Sequence, residues 1–295
     1  MKKTASDRLN IFLFLLPGLI LFIGILIAPI FLSGYYSLFN YNAVSGEMSF
    51  IGFDNYKEMF SSNAIGFMKA LGNSLLLAAL SVFLQLPLSL GLALVLGKGI
   101  KGERIFLSVY FMPVLISTVV IGQLFLKIYN PSYGILNIVL EKLSIISADN
   151  HPIWLGNKNT ALIACFIPTL WQYVGYHMLL MYAGVKSVPI ELREAAMLDG
   201  ATSGQVNRYI VLPYIKSIIK ISVIFAITGS LKSFDLIYVL TNGGPLHATE
   251  VPSTIMIEML FQRNRYGMGS AIAVMLIALC FVFALIVNKI FREED

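Results

Sequence analysis

Six residues in one apolar run carry most of the side-chain chemistry of this 295-residue chain: Thr169, Trp171, Gln172, Tyr173, Tyr176 and His177, just after Pro168. Thr169, Gln172, Tyr173 and Tyr176 fall at i, i+3, i+4 and i+7, so a helix presents them on one face. Amides and hydroxyls beside aromatic rings can hydrogen-bond and stack, the two contacts offered by a polyhydroxylated solute with apolar ring faces. The alternative is that Trp171 and Tyr173 anchor the helix at a membrane interface or pack against neighbouring helices. Gln85 and Gln123, amides inside other apolar runs, are the next candidates to line a polar pathway. Ser74, Ser117, Thr118 and Thr228 are of the kind that joins helices to one another.

Other chemistries lack their residues. No GxxxxGK[ST] is present to cradle phosphates, and there is no HExxH, no GxSxG and no pair of carboxylates within the apolar runs. The chain is therefore not expected to be an enzyme. Cys165 and Cys280 each sit in the middle of an apolar run and read as small buried residues, and His151, His177 and His247 show no metal-ligand spacing. The charges nearest the apolar interiors, Lys127, Lys232 and Asp235, fall near the outer ends of their runs. The lack of a mid-run carboxylate argues against a proton- or sodium-coupled carrier and favours an uncharged solute.

The elements that must position these residues follow from composition. The chain is 57% hydrophobic and 13% charged, with a mean hydropathy of +0.79, against roughly 45 to 50% apolar and about 25% charged in soluble domains. This describes an all-α integral membrane protein. Its net charge of +5 is what basic cytoplasmic loops produce, so no nucleic acid is expected. Six windows reach the roughly 20 apolar residues that a spanning helix needs: 10–38, 71–97, 105–128, 160–184, 211–232 and 268–290. The first follows a basic start with Lys2 and Lys3 but is too long for a signal peptide, and reads as a retained helix. GKGIKGER (97–104) packs three basic residues into eight positions, whereas the 129–159 loop holds only Lys142 and Lys158. This asymmetry puts both termini on the cytoplasmic side. No repeat or composition shift divides the chain, so residues 1–295 are expected to form one transmembrane domain.

One segment between the fourth and fifth runs departs from the apolar pattern: SVPIELREAAMLDGATSGQVNRYIVLPYIKS, residues 187–217. Pro189 suits a first helical turn, Glu191 and Glu194 complement a helix N-terminus, and Gly200 is a natural stop. Thr202 and Gln205 make a capping box for a second helix that must bend at Pro213. Ala195, Ala196 and Ala201 leave little bulk near the turn, so another protein's surface could approach closely. The alternative is an amphipathic hairpin lying on lipid headgroups.

EAAMLDGA (Glu194–Ala201), followed by VLP (Val211–Pro213) ahead of the penultimate span, resembles the EAA loop of the membrane subunits of binding-protein-dependent ABC importers. Upstream, LWQYVGYHMLLMYAGVKSVPIELREAA (170–196) resembles the carbohydrate branch of that family. FDLIYVLTNGGP (234–245) is similar to subunits like the larger maltose-permease component. The resemblance covers nearly the whole chain. It implies six transmembrane helices, with spans two to six forming a five-helix permease core and the first packing on a partner permease. It also implies a cytoplasmic coupling hairpin at 187–213 that is gripped by an ATPase. Glu194 and Asp199 would supply polar contacts there, Ala195, Ala196 and Ala201 the close approach, and Gly200 the turn. Gly204 and Asn207 depart from the bulky aromatic residues that the family often carries in the second helix.

The implied partners are a second, homologous permease subunit in a heterodimer, two cytosolic ATPase subunits, an extracytoplasmic solute-binding protein and a carbohydrate. ATP and Mg would be held by the ATPases, with no cofactor on this chain. The setting is a bacterial cytoplasmic membrane. TNGGPLHATE (241–250) reads as a shaped turn facing the binding protein or as an ordinary exposed loop. The rival readings are an ABC permease for another solute such as a polyamine or phosphate, and an ion-coupled secondary transporter.

Overall fold

The computed structural model describes residues 5–147 and 150–292, so Lys2 and Lys3 lie outside the described residues. In chain order the elements are α1 (Ile11–Tyr36), β1 (Phe39–Tyr41), β2 (Met48–Phe50), α2 (Asp54–Ser61), α3 (Phe67–Leu96), α4 (Glu103–Leu115), α5 (Thr118–Ile128), α6 (Ile135–Lys142) and α7 (Ala161–Ser187). There follow α8 (Ile190–Leu198), α9 (Ser203–Val206), α10 (Lys216–Leu231), α11 (Asp235–Thr241), α12 (Pro252–Ile257) and α13 (Tyr266–Ile290).

Among the described residues, four helices are long and apolar enough to cross a membrane: Ile11–Tyr36, Phe67–Leu96, Lys216–Thr241 and Tyr266–Ile290. The other two expected windows differ in instructive ways. The 105–128 window is not one straight helix: α4 and α5 meet at 95°, because Ile116 and Ser117 both take extended backbone angles. Pro113 lies in the last turn of α4, where a residue without an N–H weakens the ladder. The 160–184 window is the 27-residue α7. It is long enough to span, but its polar residues keep it out of the most apolar group.

Prolines also explain the local irregularities. Of the four π-helical turns among the described residues, three, Phe22–Ile27, Ser81–Gln85 and Asn207–Val211, each end two residues before a proline: Pro29, Pro87 and Pro213. A proline ring displaces the carbonyl four residues earlier and offers no N–H in return, so the ladder shifts register by one residue instead of breaking.

Contacts divide the chain into two units. The first comprises residues up to Ile65 together with Met256–Ile277. Its spanning helix α1 buries none of its apolar side chains, and Phe14 and Phe31 are 87% and 74% exposed. Those surfaces suit lipid or another protein. Beyond α1, strands β1 and β2 pair antiparallel with Phe39 opposite Phe50. Asn55 fastens α2 to this turn by donating to the carbonyls of Ser37 (2.8 Å) and Phe39 (2.9 Å). Arg265 grips both Glu58 oxygens at 2.8 and 2.5 Å.

The hydrogen bond from Arg265 holds the Glu58 carboxyl below its ordinary value of 4.5. A depressed carboxyl contributes stability that is full above the ordinary value and is lost as pH falls through the lowered one. The pair is partly solvated, so its worth is at most about 1 kcal/mol. Glu58→Gln is expected to lower the melting temperature of the solubilised protein at pH 7, with the difference from wild type vanishing in acid below the carboxylate range.

The second unit, Gly66–Ile255 with Ala278 onward, is built around α7. More than half of that helix is buried, and it packs against α3, α4, α10 and α11. Glycine sets two of the closest approaches in this unit. A Cβ on Gly175 would overlap the backbone carbonyl of Tyr110 in α4, and one on Gly122 of α5 would lie 2.6 Å from Val239 in α11. The largest apolar cluster gathers Ile121, Phe125, Cys165, Phe166, Leu236 and Ile237.

Candidate functional site

A cavity of about 380 Å³ opens in the second unit between α3, α5, α7, α10 and α11. From α7 it takes Thr169, Tyr173 and Tyr176, the i, i+4 and i+7 positions, with Cys165, Phe166 and His177 beside them. From α3 come Ser81 and Gln85, the latter at the end of a π-helical turn. Thr228, Gly229 and Ser230 of α10 form the opposite wall, with Phe225 and Phe234 at its ends.

The small side chains at 228–230 keep that wall clear, while the hydroxyls are tied back to their own helices. Thr169 donates to the Cys165 carbonyl at 3.1 Å and Thr228 to the Ile224 carbonyl at 2.7 Å. Such back-bonding uses the hydroxyl proton and leaves the oxygen as an acceptor. The rings of Tyr176 and His177 meet edge to face at 5.3 Å, and Tyr176 lies 6.4 Å from Phe225. His177 is 95% buried, and its Nδ1 has no partner among the described residues. The wall thus combines acceptors, an imidazole nitrogen and aromatic surface.

Four of the sequence-derived pathway residues therefore meet at one cavity: Thr169, Tyr173, Tyr176 and Gln85. Gln172 and Gln123 are not in its wall. At about 100° per residue Gln172 falls at the edge of the face that carries the other three. It is 2% exposed, and its amide donates to the Ile116 carbonyl (3.4 Å) and to Thr118 Oγ1 (3.2 Å) at the α4–α5 break. Gln123 is exposed on α5. Lys232 and Asp235, which the sequence puts near span ends, both line the cavity, and among the described residues neither makes a side-chain hydrogen bond or ion pair. The α10–α11 joint at 232–234 brings them there, and apolar periodicity carries no mark of that joint. No group of three or more His, Cys, Asp or Glu side chains that could hold a metal ion occurs among the described residues.

A second candidate region lies in residues 187–215. Helix α8 ends in a Schellman motif, with Gly200 N–H on the Met197 carbonyl and Ala201 N–H on the Ala196 carbonyl. Gly200 has φ = +86°. Thr202 then caps α9 in a reciprocal box with Gln205. Glu194, Ala195, Asp199 and Gly200 are exposed, whereas Ala196 and Ala201 are partly covered.

The segment carries apolar residues that water would not favour: Leu198 is 89%, Tyr209 68% and Met197 52% exposed. It is nevertheless tied to the bundle. Arg193 donates to the Val185 carbonyl in the last turn of α7, and Val185, Val188, Val206, Val211 and Ile215 form one buried cluster. At the same end of α7, Glu103 accepts from Tyr182 and pairs with Lys186.

The 241–250 turn is ordered by short polar contacts. Asn73 donates to the carbonyls of Ala248 (3.0 Å) and Glu250 (2.7 Å), and Thr249 to the Gly244 carbonyl at 2.8 Å. Leu246 projects from it with 82% exposure.

The model of the family "binding-protein-dependent transport system inner membrane component" matches residues 85–293. A Bacillus subtilis protein described as a probable ABC transporter permease, YurN, is 36% identical over 97% of this chain and 97% of its own length. The diacetylchitobiose uptake system permease protein NgcF of Streptomyces coelicolor is 32% identical over 99% of this chain and 85% of its own. Among solved structures, a chain of a bacterial ABC transporter involved in import of the acidic polysaccharide alginate superposes with a TM-score of 0.83 over 97% of this chain and 96% of that one. At 24% identity it speaks to the fold alone. A family match over residues 85–293 and relatives 36% and 32% identical over nearly the whole chain lead to one conclusion: this chain belongs to the family of inner membrane components of binding-protein-dependent transport systems, as an ABC transporter permease.

Proposed function

We propose that this permease moves a carbohydrate, an oligosaccharide or sugar derivative, inward through the cavity between α3, α7 and α10. The observation that carries the reading is the cavity wall itself. Hydroxyl acceptors at Thr169 and Thr228, the amide of Gln85 and the rings of Tyr173, Tyr176, Phe225 and Phe234 surround one space of about 380 Å³. Sugars present hydroxyl groups and apolar ring faces to just such walls. Relatives named as diacetylchitobiose and trehalose/maltose systems favour the same class.

In this reading all of residues 1–295 serve one permease domain with six membrane crossings, α4 and α5 together making one and α7 another. The segment 187–213 is the coupling hairpin, with Glu194, Ala195, Ala196, Asp199, Gly200 and Ala201 at the contact with a cytosolic ATPase. The exposed Leu198 and Met197 beside them support such a contact. Two ATPase subunits hold and hydrolyse ATP with Mg, a second permease covers the exposed α1 in a heterodimer, and an extracytoplasmic binding protein delivers the sugar. A solved alginate transporter in complex with its oligosaccharide-bound periplasmic protein, at 23% identity and a TM-score of 0.84, is a precedent for the last of these. The chain sits in the bacterial cytoplasmic membrane with both termini inside.

Uptake of labelled diacetylchitobiose and maltose by cells expressing the whole system tests the cavity. Tyr176→Ala is expected to lower uptake at subsaturating sugar by about 2- to 13-fold, the equivalent of one lost hydrogen bond of about 0.5 to 1.5 kcal/mol. Unchanged uptake would assign Tyr176 to packing. Orientation has its own check. Cysteines at Ser45 and Asn157 should react with a membrane-impermeant thiol reagent from outside, and one at Lys101 should not; labelling of the latter would invert the topology.

A further inference from the structure

The break between α4 and α5 is held by one side chain from elsewhere in the fold. Ile116 (φ −83°, ψ 136°) and Ser117 (φ −54°, ψ 132°) leave the helical region, which frees carbonyls at the end of α4 and N–H groups at the start of α5. Within a bilayer such groups are costly unless protein satisfies them. Gln172 of α7, 2% exposed, reaches both sides of the break: its Nε2 donates to the Ile116 carbonyl at 3.4 Å and to Thr118 Oγ1 at 3.2 Å.

The two halves of the broken span pack differently. Helix α4 lies backbone to backbone on α7 at Gly175, whereas α5 lies on α11 at Gly122 and shares an apolar cluster with α7 through Ile121 and Phe125. The break is therefore a joint between two differently packed helices. Thr118 has a second role, because it also lines the cavity. Gln172 Oε1 is buried with no partner among the described residues, so the amide has spare capacity in this arrangement.

We infer that Gln172 is a positioning residue for transport. Its amide, bonded to Thr118, latches the α4–α5 joint at the angle of the resting state, and Thr118 links that latch to the contents of the cavity. A solute hydroxyl that takes the Thr118 oxygen competes with Gln172 and frees the joint to move. A latch of this kind biases a two-state element by the strength of one contact. The link to cavity contents rests on the cavity being the sugar path; the latch itself does not.

The test uses the full transporter, co-expressed with its partner subunits and reconstituted in liposomes, with two readouts that need no solute. These are ATPase turnover per complex and the rate at which N-ethylmaleimide labels a cysteine placed at the exposed Ser117. Gln172→Leu, of similar volume but without the amide, is expected to raise both by about 2- to 13-fold, the population shift that one lost hydrogen bond allows. Thr118→Val, which removes only the Thr118 contact, should act in the same direction and no more strongly than Gln172→Leu, and the double variant should match Gln172→Leu alone, since that substitution already removes the Thr118 contact. Thr118→Ser, which keeps the hydroxyl, should recover most of the difference from Thr118→Val. If Gln172→Leu fails to assemble, Thr118→Val still carries the comparison.

Unchanged turnover and labelling in assembled complexes would overturn the inference and leave Gln172 as a purely structural partner of the break. So would single effects that simply multiply in the double variant. Because neither readout uses a sugar, a failure here is distinguishable from loss of the cavity reading, which stands or falls on uptake by Tyr176→Ala.

Discussion

Gly175→Ala is expected to deplete folded protein from the membrane although it adds a single methyl group. Its Cβ would overlap the Tyr110 carbonyl and stand 3.0 Å from the Phe111 nitrogen. Both obstacles are backbone, so no rotamer change relieves them, and the two helices must separate. Overpacking of a close-packed interior commonly costs about 1 to 3 kcal/mol. The loss extends further here, because α4 would lift away from the α7 surface that also holds the break through Gln172. Helices in lipid associate through such close approaches, with no hydrophobic driving force to replace them.

The check is the yield of monodisperse protein after detergent extraction, together with its melting temperature, for Gly175→Ala and Gly175→Leu beside Gly91→Ala. Gly91 lies on α3 with open space around it, where alanine should be neutral or should stabilise by about 0.5 to 1 kcal/mol through helix propensity. If Gly175→Leu behaves like Gly91→Ala, the packing of α4 on α7 is not as described.

Gly200→Val is expected to have the largest effect on coupling while leaving the spans intact. No atom lies within 4 Å of a Cβ at this position, but φ is +86°, so the obstacle is the backbone conformation and not space. The left-handed region costs an L residue about 1 to 2 kcal/mol, more for a β-branched one. Relief of that strain unwinds the Schellman turn and re-aims α9. Inserted protein should remain at normal levels, whereas co-purification of the ATPase, or uptake coupled to its hydrolysis, should fall. Gly200→Asn, the residue most tolerant of left-handed φ after glycine, should retain most of the activity. Glu194→Ala should act in the same direction as Gly200→Val but more weakly, since a solvated charge contact is worth about 0 to 1 kcal/mol. Wild-type ATPase binding and uptake in Gly200→Val would instead favour a hairpin that merely rests on lipid.

The contrast between these two glycines separates what is local from what is not. Gly200 is readable in the chain because every reason for it lies within a few residues: the alanine-rich helix before it, the Thr202 and Gln205 cap after it, and the bend at Pro213. Capping and turn formation depend on short-range backbone bonds, so residue type and spacing are enough. The apolar runs are legible for a related reason, since a bilayer demands length and composition from each helix separately. Nothing near Gly175 marks it, because its role is set by the Tyr110 carbonyl 65 positions away in the chain.

The same division runs through the site. Sequence by itself determined a membrane-embedded helical chain, a punctuated polar hairpin after the fourth run, and a face of α7 rich in hydroxyls and rings. It grouped Gln172 with that face because helical periodicity assigns positions only relative to one helix axis. Tertiary structure decided which arc of the helix meets a cavity and which meets protein, and it turned Gln172 onto the carbonyl and hydroxyl of a broken span. The break itself, and the arrival of Lys232 and Asp235 at the cavity, arise because the two halves of a bent span pack on different stretches of the surrounding bundle. Such packing is settled by surfaces far apart in the chain, for which no short stretch of residues holds the information.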